Sequence, residues 1–146
     1  MTRAPRGPLL GVDFGARRVG IAVADPETRI ARPLEVVDAA DAPRAVAELA
    51  RAHAAEAVVV GRPVGLSGRA GPAVDAQAGF VDELRALAPC PVVEYDERLT
   101  TVVAERALRA AGGRRAARAA IRDAVAAQVM LQGYVDSMRA RAGGDP

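Results

Sequence analysis

The run Ala57-Val58-Val59-Val60 limits the fold more sharply than any other segment. It is continuously apolar and short, which suits a strand buried on both faces. Both of its faces must then be covered, as they are inside an α/β sheet. The neighbouring segments supply the cover. Asp41-Ala42-Pro43 opens a helix, with an acid at the N-cap and proline in the first turn, that runs to about Ala55. Pro72 to Leu87 carries Val74, Ala78, Val81 and Leu84 at helical spacing.

Earlier in the chain the pattern is different. Leu9 to Phe14 and Arg17 to Ala24 read as strands, the second β-branched and alternating, and Gly15-Ala16 is short enough for a hairpin. Ile30 to Val37 returns as a third strand, giving an antiparallel meander. Pro91 to Tyr95 is the fifth strand, and Gly61 to Gly71 is a loop. A helix starts at Thr100 or Thr101 and ends near Ala111, before Gly112-Gly113. A last helix runs from about Arg115 to Arg141. The expected fold class is α/β: a mixed five-stranded sheet, three strands in a meander plus two more, with helices on both faces.

Composition sets the outer bounds. Of 146 residues, 51% are hydrophobic and 26% charged, which is globular rather than disordered. One domain over 1–146 is expected, with its core at about 9–141 and short polar tails. No apolar run approaches the roughly 20 residues that span a bilayer. Residues Met1 to Pro8 lack the apolar stretch of a secretory signal. A single cysteine, Cys90, excludes an internal disulfide framework and fits a reducing cytoplasm. The net charge is only +2, yet all 20 basic residues are arginine. A GC-rich coding sequence accounts for missing lysine. It does not account for Arg106, Arg109, Arg114, Arg115, Arg118 and Arg122 following one another with no acid between Glu105 and Asp123.

Three acids stand out. Asp13 lies within an apolar strand between Gly11 and Gly15, where a carboxylate loses hydration unless something binds it. The glycines leave room for a ligand or another backbone. Asp96-Glu97-Arg98 follows the fifth strand and precedes a helix, the place where open α/β sheets put their sites; an ordinary polar connection reads the same way. Asp123 lies on the last helix. At about 100° per residue from Ile121, Ala124, Leu131, Val135 and Met138 fall between about 260° and 320°, and Asp123 near about 200°. It therefore sits beside the apolar stripe, where an acid is expected to have a partner. Arg115, Arg118 and Arg122 fall between about 60° and 120°, on the polar side, where a solvated face is the rival reading.

No histidine or cysteine set competes as metal ligand. His53 is alone, late in a surface helix, and Cys90 reads as a buried thiol. Oxygen-only ligands suit Mg²⁺ or Mn²⁺ rather than zinc. Such an ion among carboxylates and arginines points to phosphate chemistry.

These residues resemble a family. Gly11 to Ala22 (GVDFGARRVGIA) is similar to the GxDxGxxRxGxA signature of YqgF/RuvX proteins. Val60-Gly61-Arg62-Pro63 resembles the family's VGLP, and Ser67 to Pro72 its DGxxGP. Asp96 to Thr101 (DERLTT) matches the family's DERLTT. Asp123 to Ala127 with Leu131-Gln132-Gly133-Tyr134 resembles the closing DxxAAxxILQxYL. The likeness runs from about Leu9 to Asp136. It implies an RNase H-like fold and an endonuclease that processes the 5′ end of pre-16S ribosomal RNA, with a further likeness to Holliday junction resolvases. Carried over by motif, the catalytic and metal-binding acids are Asp13, Glu97 and Asp123, with Asp96 as neighbour or substitute. Two positions depart from the pattern. Arg62 replaces an apolar residue and adds a candidate phosphate contact, and Gly65 stands where asparagine is common.

The expectation is thus a nuclease dependent on Mg²⁺ or Mn²⁺ and acting on structured RNA, with junction DNA as rival substrate. Alternation lets only one of Arg17 and Arg18 face the carboxylates, and Arg17 is the expected one. Arg62, Arg98, Arg114, Arg115, Arg118 and Arg122 are the other expected phosphate contacts. Two other classes stay open: an ATPase-like nucleotide-binding module and a non-catalytic RNA-binding assembly factor. At 3%, aromatic residues are too few for single-strand binding by base stacking. The chain is expected to be cytoplasmic, free of membranes, and a monomer or homodimer.

Overall fold

In a computed structural model, residues 7–62, 72–96 and 115–143 are described. They form β1 (Leu9–Phe14), β2 (Arg18–Ala24), β3 (Ala31–Asp38), a 3₁₀ turn (Ala39–Asp41), α1 (Ala42–Ala52), β4 (Ala57–Arg62), α2 (Pro72–Leu87), β5 (Val92–Asp96) and α3 (Arg115–Gly143). The sheet order is β3-β2-β1-β4-β5. The β1–β2 and β2–β3 pairs are antiparallel, as a meander requires. The β1–β4 and β4–β5 pairs are parallel. The helix expected between Thr100 and Ala111, and most of the glycine-rich loop, lie outside the described residues.

Val58, Val59 and Val60 are all fully buried, because both faces of β4 are indeed covered. One face packs on α1 and α2 through Leu10, Val12, Val19, Ile21, Val58 and Val60. The other packs on α3 through Leu9, Ala22, Ala24, Val59, Met130 and Leu131. The two faces differ in kind. Branched aliphatic side chains fill the first. On β1 and β2 the second carries mainly glycine and alanine, so α3 lies close to the sheet. A Cβ built on Gly11 would lie 2.7 Å from Leu131 Cβ, and one on Gly20 would lie within 1.9 Å of the Asp123 carbonyl oxygen.

Some boundaries move. The β1–β2 connection is the three residues Gly15-Ala16-Arg17, and β2 starts at Arg18. A Cβ on Gly15 would meet the Arg18 carbonyl oxygen at 2.5 Å, so this turn closes only on glycine. Strand β4 continues to Arg62, since its ladder with β5 extends to the Arg62–Asp96 pair. Asp41 does hold the N-cap of α1, but its side chain makes no capping bond. The 3₁₀ turn before α1 brings the chain into the helix already wound. Strand β3 is an edge strand. It accommodates Pro33 and a register shift opposite Ile21/Ala22, both at home on an edge.

Candidate active site

Asp13 is the second-last residue of β1, and its cross-strand partner is Gly20. Directly opposed residues have Cα atoms about 5 Å apart. Side chains alternate along β1. Leu10 and Val12 point to α1 and α2, and Phe14 stacks on Phe80 of α2 with ring centroids 4.9 Å apart. Asp13 therefore belongs to the α3 face, half-buried at its edge. The backbone of α3 at Asp123 rests on Gly20. The strand end that carries Asp13 and the helix backbone at Asp123, more than a hundred residues apart in the chain, are thus both neighbours of Gly20. Gly20 admits the helix backbone because it has no side chain.

Asp123 already faces a cation. Its Oδ2 is 3.0 Å from Nε of Arg18, and the two side chains are 23% and 42% exposed, respectively. This corrects the expectation placed on Arg17. In the observed register Asp13 pairs with Gly20 and Phe14 with Val19, so the residues sharing Asp13's face are Gly20 and, two back, Arg18. Arg17 is exposed in the turn, where its carbonyl accepts a 2.8 Å hydrogen bond from the Ala39 N–H. Counted along the signature quoted above, the arginine also falls on Arg18.

The remaining expected residues distribute as follows. Glu97, Arg98 and Arg114 lie outside the described residues, and Glu97 directly follows Asp96, the last residue of β5. Arg62 ends β4 beside it as the register partner of Asp96. Arg115, Arg118 and Arg122 belong to the first turns of α3, immediately before Asp123. Among the described residues no three His, Cys, Asp or Glu side chains gather as a metal-binding group. The described donors nevertheless suit Mg²⁺ or Mn²⁺. Asp13 and Asp123 offer only oxygen, they come from different elements, and a guanidinium stands against one of them as a surrogate cation. Cys90 is half-buried rather than buried as expected, and that partial burial pushes its thiol up from its ordinary pKa, which favours the inert thiol over the thiolate.

Three glutamines escaped the sequence reading. Gln132 of α3 accepts from the Ala31 N–H at 2.8 Å and donates to the Arg29 carbonyl at 2.9 Å. Gln128 donates to the Ala31 carbonyl at 3.1 Å. Together they clamp α3 to the start of β3, where Arg29 adopts the left-handed conformation at φ 58°. Their spacing with Asp136, four residues each, was the available signal: a polar line along a helix that otherwise packs on a sheet. Gln77 of α2 is buried and donates to the Gly61 carbonyl at 2.8 Å, tying α2 to the end of β4.

The sheet order, with a long helix laid against the glycine- and alanine-bearing face of β1 and β2, defines an RNase H-like α/β protein. Solved structures agree on that fold. Thermus thermophilus RuvC in complex with Holliday junction substrate matches with a TM-score of 0.58 at 19% identity, over 94% of this chain and 97% of that one. The fowlpox virus Holliday junction resolvase matches at 0.53 and 12% identity, over 89% and 99%. Sequence comparison then gives the particular family. The RuvX model, described as Holliday junction resolvase, matches residues 7–137, and the chain belongs to that family. A relative from Chloroflexus aggregans, named "Putative pre-16S rRNA nuclease", is 45% identical over 134 residues, 90% of this chain and 94% of its own. One of the same name from Mycobacterium sp. (strain KMS) is 42% identical over 140 residues, 92% and 83%.

Proposed function

We propose that this chain is a metal-dependent endonuclease that cleaves the phosphodiester backbone of structured RNA, with the 5′ region of pre-16S rRNA as substrate. The observation that carries the proposal is that the backbone of α3 at Asp123 rests on Gly20, the register partner of Asp13, with a cation already seated on the Asp123 carboxylate. The names of the curated relatives support the choice of RNA. Asp13, Asp123 and Glu97 are the residues that would hold Mg²⁺ or Mn²⁺. Such an ion supplies Lewis-acid stabilisation of charge on the phosphoryl oxygens.

The chain's own residues do the rest. Asp13 is fixed by the β1–β2 ladder and Asp123 by helix backbone, so neither carboxylate depends on a loop for its position. Arg18 offsets their mutual repulsion while the site holds no divalent ion. Arg62, the last residue of β4, and Arg98, two residues after β5 in the sequence, are further candidate phosphate contacts. Arg114, Arg115, Arg118 and Arg122 precede Asp123 in the sequence, and this run of positive charge suits a nucleic-acid backbone.

Junction DNA is the second reading, favoured by the family model's description and by the fold shared with RuvC. Purified protein with Mg²⁺ or Mn²⁺, a labelled pre-16S 5′-leader RNA and a labelled four-way DNA junction decides between them. The expected result is metal-dependent cleavage of the RNA. Asp13→Asn should reduce cleavage by about 100-fold or more while the fold survives, since it keeps shape and removes the charge that holds the ion. Cleavage of the junction alone transfers the activity to DNA. Binding without cleavage of either substrate under any metal indicates an assembly factor.

A further inference from the structure

We propose that Arg18 is a built-in competitor for the divalent ion: its guanidinium occupies Asp123 in the ion-free protein and must leave when the ion binds, so Arg18 sets the metal affinity of the site. This inference rests on the reading of Asp13 and Asp123 as metal carboxylates. The geometry carries it in three steps. First, Arg18 Nε contacts Oδ2 of Asp123 at 3.0 Å, so arginine and ion draw on the same carboxylate. Second, the backbone beneath Arg18 is held. Val19 and Gly20 are buried in the β1–β2 ladder, and the Arg17 carbonyl is bonded to Ala39. Only the side chain is free to yield, by rotation of its own stem. Third, the Arg18 side chain is 42% exposed, so it can swing into water at little cost in hydration.

An ion pair whose arginine is this exposed is weak, although the Asp123 Oδ2 it covers is itself buried. That places Arg18 in a useful range: strong enough to offset the repulsion between two carboxylates, weak enough for a divalent ion to displace it. The ion also gains from the departure, because a guanidinium left in place would repel it.

The test measures metal binding without nucleic acid or turnover. Mn²⁺ is titrated calorimetrically into wild type, Arg18→Gln, Arg18→Met, Arg18→Lys, Arg17→Gln and Asp123→Asn at low salt. Arg18→Gln and Arg18→Met, the second keeping most of the apolar stem, should bind Mn²⁺ about two- to fivefold more tightly than wild type. Their metal-free thermal midpoints should fall, and Mn²⁺ should raise them by more than it raises wild type. Arg18→Lys keeps the charge and should stay within about twofold of wild type. Arg17→Gln removes one charge a single residue away and should also change affinity by less than about twofold. A second measurement needs no variant. The Arg18 side-chain Nε–H NMR signal should move toward the position of an exposed arginine on saturation with diamagnetic Mg²⁺.

Unchanged or weaker Mn²⁺ binding by both Arg18→Gln and Arg18→Met overturns the inference. So does equal tightening by Arg17→Gln, which would mean a general field effect, or an Arg18 signal that ignores Mg²⁺. The underlying reading fails separately: wild type without Mn²⁺ binding, or Asp123→Asn binding like wild type, removes the metal centre and the inference with it.

Discussion

At Gly20 one methyl group would push β2 away from the backbone of α3 at Asp123. Gly20→Ala places a Cβ within 1.9 Å of the Asp123 carbonyl oxygen, an atom of helix backbone that no rotamer change can move aside. The expected cost is about 1–3 kcal/mol or more, as for other overpacked sites. The damage should also be local. Mn²⁺ binding should weaken by more than the loss of folded protein explains, measured by titration alongside the thermal midpoint. Gly79→Ala is the contrast. No atom lies within 4 Å of its built Cβ, and the residue is exposed on α2. There alanine should stabilise by about 0.5–1 kcal/mol, because it only removes helix-opposing backbone freedom. The sequence made Asp13 and Asp123 legible for a physical reason: a carboxylate beside apolar neighbours needs a partner, and that need shows in one dimension. Of the two readings of the flanking glycines, room for a ligand or for another backbone, Gly15 follows the second, with the Arg18 carbonyl against it, and Gly11 makes room for the Leu131 side chain. The choice between Arg17 and Arg18 turned on register, and alternation alone left it open; the spacing of the signature carried it, since its arginine falls on Arg18.

Among the elements, α3 does the most to shape the site, and the sheet holds it at two places. Gly20 fixes it near Asp123, and Gln128 and Gln132 fix it about two turns later. Gln132→Leu removes the partner of the Ala31 N–H and of the Arg29 carbonyl, both at part-buried contacts. Each group left unpaired costs about 1–3 kcal/mol. Denaturant unfolding should therefore show a loss of about 2 kcal/mol or more, with β3 amides exchanging faster than those of β4. Helix α2 was legible to the residue, Pro72–Leu87, because proline and the apolar period mark it clearly. The strand ends were less so. Strand β4 gains Gly61 and Arg62 by pairing with β5, and pairing partners far apart in sequence leave no local signal. The glutamine clamp was hidden for a similar reason, since its acceptors are backbone groups about a hundred residues away.

For the molecule as a whole the net charge of +2 says little, while its distribution says more. If the arginines before Asp123 track a nucleic-acid backbone, each phosphate they neutralise adds about 0.9 to the slope of log K against log salt on duplex and about 0.7 on a single strand. The double change Arg118→Gln and Arg122→Gln should then lower the slope by about 1.4 to 1.8. The helix should persist, since glutamine is nearly as good a helix former as arginine. Binding should suffer more than cleavage at saturating substrate. An unchanged slope, measured at several salt concentrations, would mean that α3 presents only a solvated face. The seat of α3 has one more consequence. Most helices meet sheets through side chains, whose rotamers and volumes act as adjustable spacers. Here the spacer has zero thickness at Gly20, and two main chains touch directly. Peptide groups are rigid, so that contact works like a machined stop: errors made elsewhere in the packing are not passed along to Asp123. An exchange of valine for isoleucine or leucine in the apolar layer under α1 and α2 should then leave the backbone contact between Gly20 and Asp123 in place.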